Sequence, residues 1–267
     1  MAKGMSLHIG LNRVDPAQYE GWDGTLTACE LDANDMQAIA KKRRFTTQKL
    51  LTEHATSTAV LAAIGAAAKK LAKGDLFLLT YSGHGGQVRD TNGDDEDGRD
   101  ETWVLFDRQL VDDELFAAFG RFKSGVRIFV LSDSCHSGTV VRGMPAFLAG
   151  GPRVKFMPPN VGAKVEAAHK ATYRAIQKAN PPAAQAKVKA SLLLISGCMD
   201  NQLSRDGDRN GLFTENLRAV WKSGKFKGSY KRFRDQIAAR MPPDQTPNYY
   251  RAGVRSPTFE AQQPFAI

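Results

Sequence analysis

Two apolar runs that break abruptly into glycine and small polar residues constrain this chain more than any other feature. One reads Leu78-Leu79-Thr80-Tyr81-Ser82-Gly83-His84-Gly85-Gly86, the other Phe129-Val130-Leu131-Ser132-Asp133-Ser134-Cys135-His136-Ser137-Gly138. Short apolar runs bounded by turn residues read as strands buried on both faces. Residues 76–81 and 127–131 fit that reading, as do 7–11, 192–195 and, more weakly, 49–51. Helical patterns alternate with them: 32–44, where Met36, Ile39 and Ala40 share a face; 57–71, with Thr56 or Ser57 as N-cap; 113–122; 212–221; and 230–239. Alternation of strand and helix implies an α/β fold, a parallel sheet covered by helices on both faces. Ligands and reactive groups of such sheets gather at the carboxyl ends of the strands. If the two strands are neighbours, His84 and Cys135 face one crevice.

A thiol is a modest nucleophile until an imidazole activates it. Glycines at 83, 85, 86 and 138 let a substrate backbone approach closely, and backbone N–H groups there can hold an oxyanion. The plain alternatives are an inert buried thiol and a loop histidine bonded to backbone. His136 competes for the role of base, but neighbouring residues point apart.

Composition narrows the remaining classes. The chain has 267 residues, enough for one large domain or two small ones, and 42% hydrophobic residues, ordinary for a soluble protein. No apolar run approaches the length of a membrane span, and the first residues are too interrupted for a signal peptide; a cytoplasmic protein is expected. Three cysteines, Cys29, Cys135 and Cys198, do not make a disulfide framework. The formal charge of +9 lies partly in 41–44, 153–189 and 222–234. No aromatic-interleaved basic stripe or zinc-finger spacing accompanies it, so nucleic acid is not the expected partner. Residues 151–190 carry paired prolines around a basic helix at 164–178. They read as an exposed linker between a large catalytic region, 1–150, and a smaller one, 191–267, of one structural domain.

The two strand-end segments resemble the catalytic histidine and cysteine motifs of metacaspases. Cys135 follows His84 by 51 residues, similar to the roughly 50 between the caspase-type pair. Gly24-Thr25-Leu26-Thr27-Ala28-Cys29-Glu30-Leu31-Asp32-Ala33 is similar to the segment opening the first metacaspase helix. Ile195-Ser196-Gly197-Cys198-Met199-Asp200-Asn201-Gln202 and Gly211-Leu212-Phe213-Thr214 resemble the start of the small-subunit region. The resemblance implies a caspase–hemoglobinase fold with a six-stranded, mostly parallel sheet. It also implies peptide hydrolysis through an acyl-enzyme, with Cys135 as nucleophile, His84 as acid and base, and the N–H groups of Gly85 and Cys135 as oxyanion site. Positions matching Asp32 and Asp133, with Ser82 and Cys29, line the pocket for the residue before the cut. Two desolvated carboxylates there favour Arg or Lys and reject Asp. The plain alternatives are a helix N-terminal acid for Asp32 and a turn residue for Asp133. Protein or peptide substrates and a monomer are expected, with no membrane partner. The linker carries Arg153, Lys155, Lys164, Lys170, Arg174, Lys178, Lys187 and Lys189, so an enzyme selective for basic residues could process itself there.

The acidic segment 90–101 suits calcium by its density of oxygen donors but lacks EF-hand spacing. The resemblance implies calcium ligands at Asp100, Asp112 and Asp113, plus one seven residues after the nucleophile. Arg142 stands there instead. Three other readings stay open: a catalytically silent caspase-like binding module, a zinc hydrolase built on Cys135, His136 and His84, and a basic nucleic-acid-binding protein.

Overall fold

The computed structural model describes residues 2–93, 98–135, 153–180, 182, 186–199 and 202–267. Its main sheet has six strands: β1 (Gly4–Gly10), β2 (Thr46–Leu51), β3 (Leu76–Ser82), β7 (Arg127–Asp133), β8 (Ser191–Ser196) and β9 (Asn248–Gly253). They lie in the order β2-β1-β3-β7-β8-β9, parallel except for β9. Every residue of β3 is buried, which explains why its sequence does not alternate. Its side chains still take opposite faces in turn. Phe77, Leu79 and Tyr81 join one core with α2 (Ser57–Lys70) and α3 (Asp112–Phe119). Leu76 and Leu78 join the other, with α1 (Cys29–Lys42), α6 (Leu212–Trp221), α7 (Tyr230–Ala238) and α8 (Pro257–Ala261).

A second sheet, absent from the sequence expectations, is antiparallel: β4 (Gly85–Arg89), β5 (Arg99–Val104) and β6 (Gln109–Val111). It leaves the main sheet directly after His84. The expected helix at 164–178 divides into α4 (Pro159–Ala168) and α5 (Lys170–Ala179), which meet at His169. Within 151–190, expected to be exposed, Lys164, Lys170, Arg174 and Lys178 are exposed, but part of the segment is packed. Val165 and Tyr173 are buried with Val88, Val104 and Val111 of the small sheet, because Val161, Val165 and Ile176 give these helices an apolar face. Lys155, Phe156 and Met157 are buried as well. No helix among the described residues is long and apolar enough to cross a membrane.

Thr56 caps α2 by accepting from the Ala59 N–H at 3.2 Å. The first helix has no side-chain cap of its own. Asp206, far along the chain, accepts from the N–H groups of Thr27 (2.8 Å) and Ala28 (3.3 Å) instead. One core group makes the fold acid-sensitive. His8 on β1 is buried between Ser6 and Thr80 hydroxyls. Burial, with Lys49 and Lys41 adding positive charge, lowers its pKa from 6.5 to about 3. The unfolded chain therefore binds a proton below pH 6.5 that the folded chain refuses. His8 stabilises fully above that pH and loses its contribution as pH falls toward about 3, on the order of 3 kcal/mol by pH 4. Urea unfolding of His8→Asn is expected to fall less steeply between pH 6.5 and 4 than wild type.

Candidate active site

The register fixes where the two motifs meet. Gly10 pairs with Ser82 and Ser82 with Asp133, all at the carboxyl ends of β1, β3 and β7. Two residues further along each of the last two chains stand His84 and Cys135. Tyr81 stacks on Trp103 with centroids 4.4 Å apart, and its hydroxyl donates to the His84 carbonyl at 2.6 Å. These contacts set the turn that carries the histidine. Gly85 follows at a point of backbone crowding: a Cβ there would lie 1.5 Å from the Cys135 carbonyl oxygen, so only glycine is accommodated.

The His84 ring packs on Trp22, centroids 4.8 Å apart. Its Nε2 lies 2.9 Å from the Gly24 carbonyl. A carbonyl only accepts, so Nε2 carries the proton and the neutral ring has its lone pair on Nδ1. That Nδ1 is buried without a hydrogen-bond partner among the described residues. Burial lowers the ring's pKa to about 4, despite the opposing effects of the Gly24 carbonyl, the Asp206 charge and the Phe156 backbone. A buried, neutral imidazole with a free lone pair is equipped to accept a proton.

Cys135 is also buried, and its sulfur accepts from the Ser204 N–H. The crevice is filled by the chain itself. Residues 153–157 pair with both sides of it through two isolated bridges, Val154 with Arg205 and Phe156 with Gly85. The Lys155 N–H donates to the Ser204 carbonyl (2.8 Å) and the Arg153 carbonyl accepts from Asp206 N–H (2.8 Å), while Met157 N–H donates to Gly85 on the other side (2.9 Å). The Lys155 carbonyl oxygen accepts from two backbone N–H groups, those of Gly85 at 3.0 Å and Cys135 at 3.1 Å. These are the two donors that the resemblance implies for an oxyanion.

The Lys155 side chain enters the pocket that the resemblance implies. Its ammonium lies 3.0 Å from Asp32 Oδ2, 3.0 Å from Asp133 Oδ2 and 2.9 Å from Ser82 Oγ. All four residues are nearly inaccessible to solvent. Burial alone would discharge such an ammonium; Asp133 and Asp32 outweigh it and hold the Lys155 pKa well above its ordinary value. Cys29 stands beside the pocket as a neutral thiol, its pKa pushed up by burial. Three more residues complete the pocket: Asn210, which carried no sequence signal, and Gly211 and Thr214, whose segment matched without a role assigned to either. Asn210 Nδ2 and the Gly211 N–H donate to Asp32 at 2.9 and 3.1 Å, and Thr214 Oγ1 donates to Asp133 at 2.9 Å. A Cβ at Gly211 would stand 2.2 Å from the Lys155 ammonium nitrogen, so any side chain there would shorten the pocket.

The implied calcium ligands each accept a hydrogen bond within the chain. Asp100 and Asp113 are buried, and each accepts from a neutral amide: Asp100 from Gln177 at 2.5 Å, Asp113 from Asn92 at 2.8 Å. Asp112 accepts from the Asp113 N–H. Among the described residues no three His, Cys, Asp or Glu side chains converge as metal ligands, while Asp100 keeps one buried oxygen, Oδ1, without a hydrogen-bond partner among them. Residues 94–97, His136 and Arg142 lie outside the described residues.

Comparison with known proteins places this geometry. The metacaspase-1 of Mycosarcoma maydis is 30% identical over 79% of this chain and 60% of its own length. The metacaspase-1 of Kluyveromyces lactis is 33% identical over 51% of this chain and 38% of its own. The chain thus spans less than two thirds of these curated relatives. The crystal structure of protein GSU0716 from Geobacter sulfurreducens superposes with a TM-score of 0.92 at 54% identity, covering 99% of both chains. The caspase-domain profile of peptidase family C14 matches residues 13–259, and with nearly the whole described fold inside that match, the chain belongs to the caspase-domain family.

Proposed function

We propose that this chain is a cysteine endopeptidase that cleaves after Lys or Arg and processes itself between Lys155 and Phe156. The observation that carries this reading is the pose of Lys155: ammonium between two buried carboxylates, carbonyl oxygen on two backbone N–H groups. In this reading His84 Nδ1 takes the proton of the Cys135 thiol, and the thiolate attacks the Lys155 carbonyl carbon. The N–H groups of Gly85 and Cys135 hold the resulting oxyanion. The imidazolium then protonates the Phe156 nitrogen as the peptide bond breaks, leaving a thioester on Cys135. Water, deprotonated by His84, hydrolyses it and frees the Lys155 carboxylate.

Two peptides test the specificity, one with Lys and one with Asp before the cut. Cleavage of the Lys peptide alone is expected. Cleavage after Asp would overturn the reading. In this reading calcium modulates the enzyme and does not take part in the chemistry, which needs only Cys135 and His84, and cleavage is expected to persist in excess EDTA. Self-cleavage should also hold its rate well below pH 6.5. The occupied site keeps His84 neutral down to about pH 4, and only protonation of Nδ1 removes the base.

A further inference from the structure

We infer that the recognition sequence extends to a basic residue at the third position before the cut, and that Asp206, assisted by Asp208, reads its charge. The inference rests on the lysine-specific reading above and deepens it.

Residues 153–157 lie in the crevice as a bound peptide would, so neighbours of Arg153 define where the third residue before a cut resides. The backbone fixes that placement. The Asp206 N–H donates to the Arg153 carbonyl at 2.8 Å, and Val154 forms an antiparallel bridge with Arg205. Position 206 is therefore beside position 153 whatever the side chains are. The side chains then match in charge: Arg153 Nε lies 3.7 Å from Asp206 Oδ2, and its terminal nitrogen 3.9 Å from Asp208 Oδ1.

Asp206 is an unusual acid. Its side chain is fully buried, and its hydrogen bonds go to Thr27 and Ala28, which are neutral donors. Those bonds fix the carboxylate without neutralising it. A buried carboxylate held only by neutral donors attracts a guanidinium or ammonium beside it and repels an acid, with less screening than a surface pair. Arg153 is about half exposed, which limits the gain, so the expected preference is moderate.

The test uses fluorogenic tripeptides X-Val-Lys with Arg, Ala or Glu at X, cleaved by the full chain after it has processed itself. The Arg peptide is expected to show kcat/KM about five-fold above the Ala peptide, and the Glu peptide to fall below both. The Arg-to-Ala ratio should shrink at about 0.5 M salt. Asp206→Asn keeps an oxygen acceptor for Thr27 but no charge, and should bring the ratio close to one. A purely structural role would lower both rates and leave the ratio unchanged. A second arm reads the intact chain, independently of whether Asp206→Asn folds. Self-cleavage should slow about five-fold in Arg153→Ala and further in Arg153→Glu. Equal rates for the Arg, Ala and Glu peptides in wild type, or a wild-type ratio in folded Asp206→Asn, would overturn this inference and leave lysine specificity standing. Failure to cleave any of the three lysine peptides would overturn the reading beneath it.

Discussion

Lys155→Met, introduced into a Cys135→Ala background so that no chain is cut, is expected to lower stability by about 3–5 kcal/mol in urea unfolding. The ammonium is buried with two carboxylates and a hydroxyl around it. Methionine preserves the aliphatic stem but leaves Asp32 and Asp133 facing each other without a cation, in a place water does not reach. Removing one partner of a buried ion cluster costs more than the cluster itself contributes, because the remaining charges stay desolvated. Pairing the change with Asp133→Asn should recover part of the loss, since one uncompensated carboxylate is then gone. Equal stability of Lys155→Met and its parent would mean that the ammonium does not reside in this pocket.

With the nucleophile intact, Asp32→Asn and Asp133→Asn are expected to lower kcat/KM for Lys peptides by about 100-fold each. The loss should be specific to charged residues before the cut. A buried carboxylate bonded to an ammonium contributes most when the pair is dry, and here each carboxylate is also oriented by neighbours: Asp32 by Asn210 and Gly211, Asp133 by Thr214 and by Ser204 at 2.6 Å. A carboxamide would keep most of the shape and lose the charge. Comparable losses on a peptide with a neutral residue before the cut would point to damaged folding rather than to a damaged pocket.

Much of this arrangement was legible in the sequence, for physical reasons that differ by element. The strands β3 and β7 are buried on both faces, so their apolar runs are uninterrupted and their polar ends conspicuous. The glycine at 85 is required by the close passage of the Cys135 carbonyl, and so a glycine beside the histidine was visible. The small sheet was not. Its strands alternate weakly, and β6 is three residues long, below the length at which periodicity is informative. The edge strand β9 is largely exposed and carries little apolar signal. Pocket residues such as Asn210, Gly211 and Thr214 are contributed by a chain segment distant from Asp32 and Asp133; only the fold brings them together. The packed part of 151–190 was missed for a related cause. Most of its basic residues do face solvent, but Lys155 finds two carboxylates inside the protein, and Val165 and Tyr173 find the small sheet. Charge in sequence says what a side chain requires, not where that requirement is met.

The most direct test of the central claim is the intact mass of purified protein over time, wild type beside Cys135→Ala. The wild-type chain should divide into two fragments, one ending at Lys155 and one beginning at Phe156, while the Cys135→Ala chain stays whole. Wild-type protein that remains uncut, a cut at another bond, or the same cut in Cys135→Ala would contradict it.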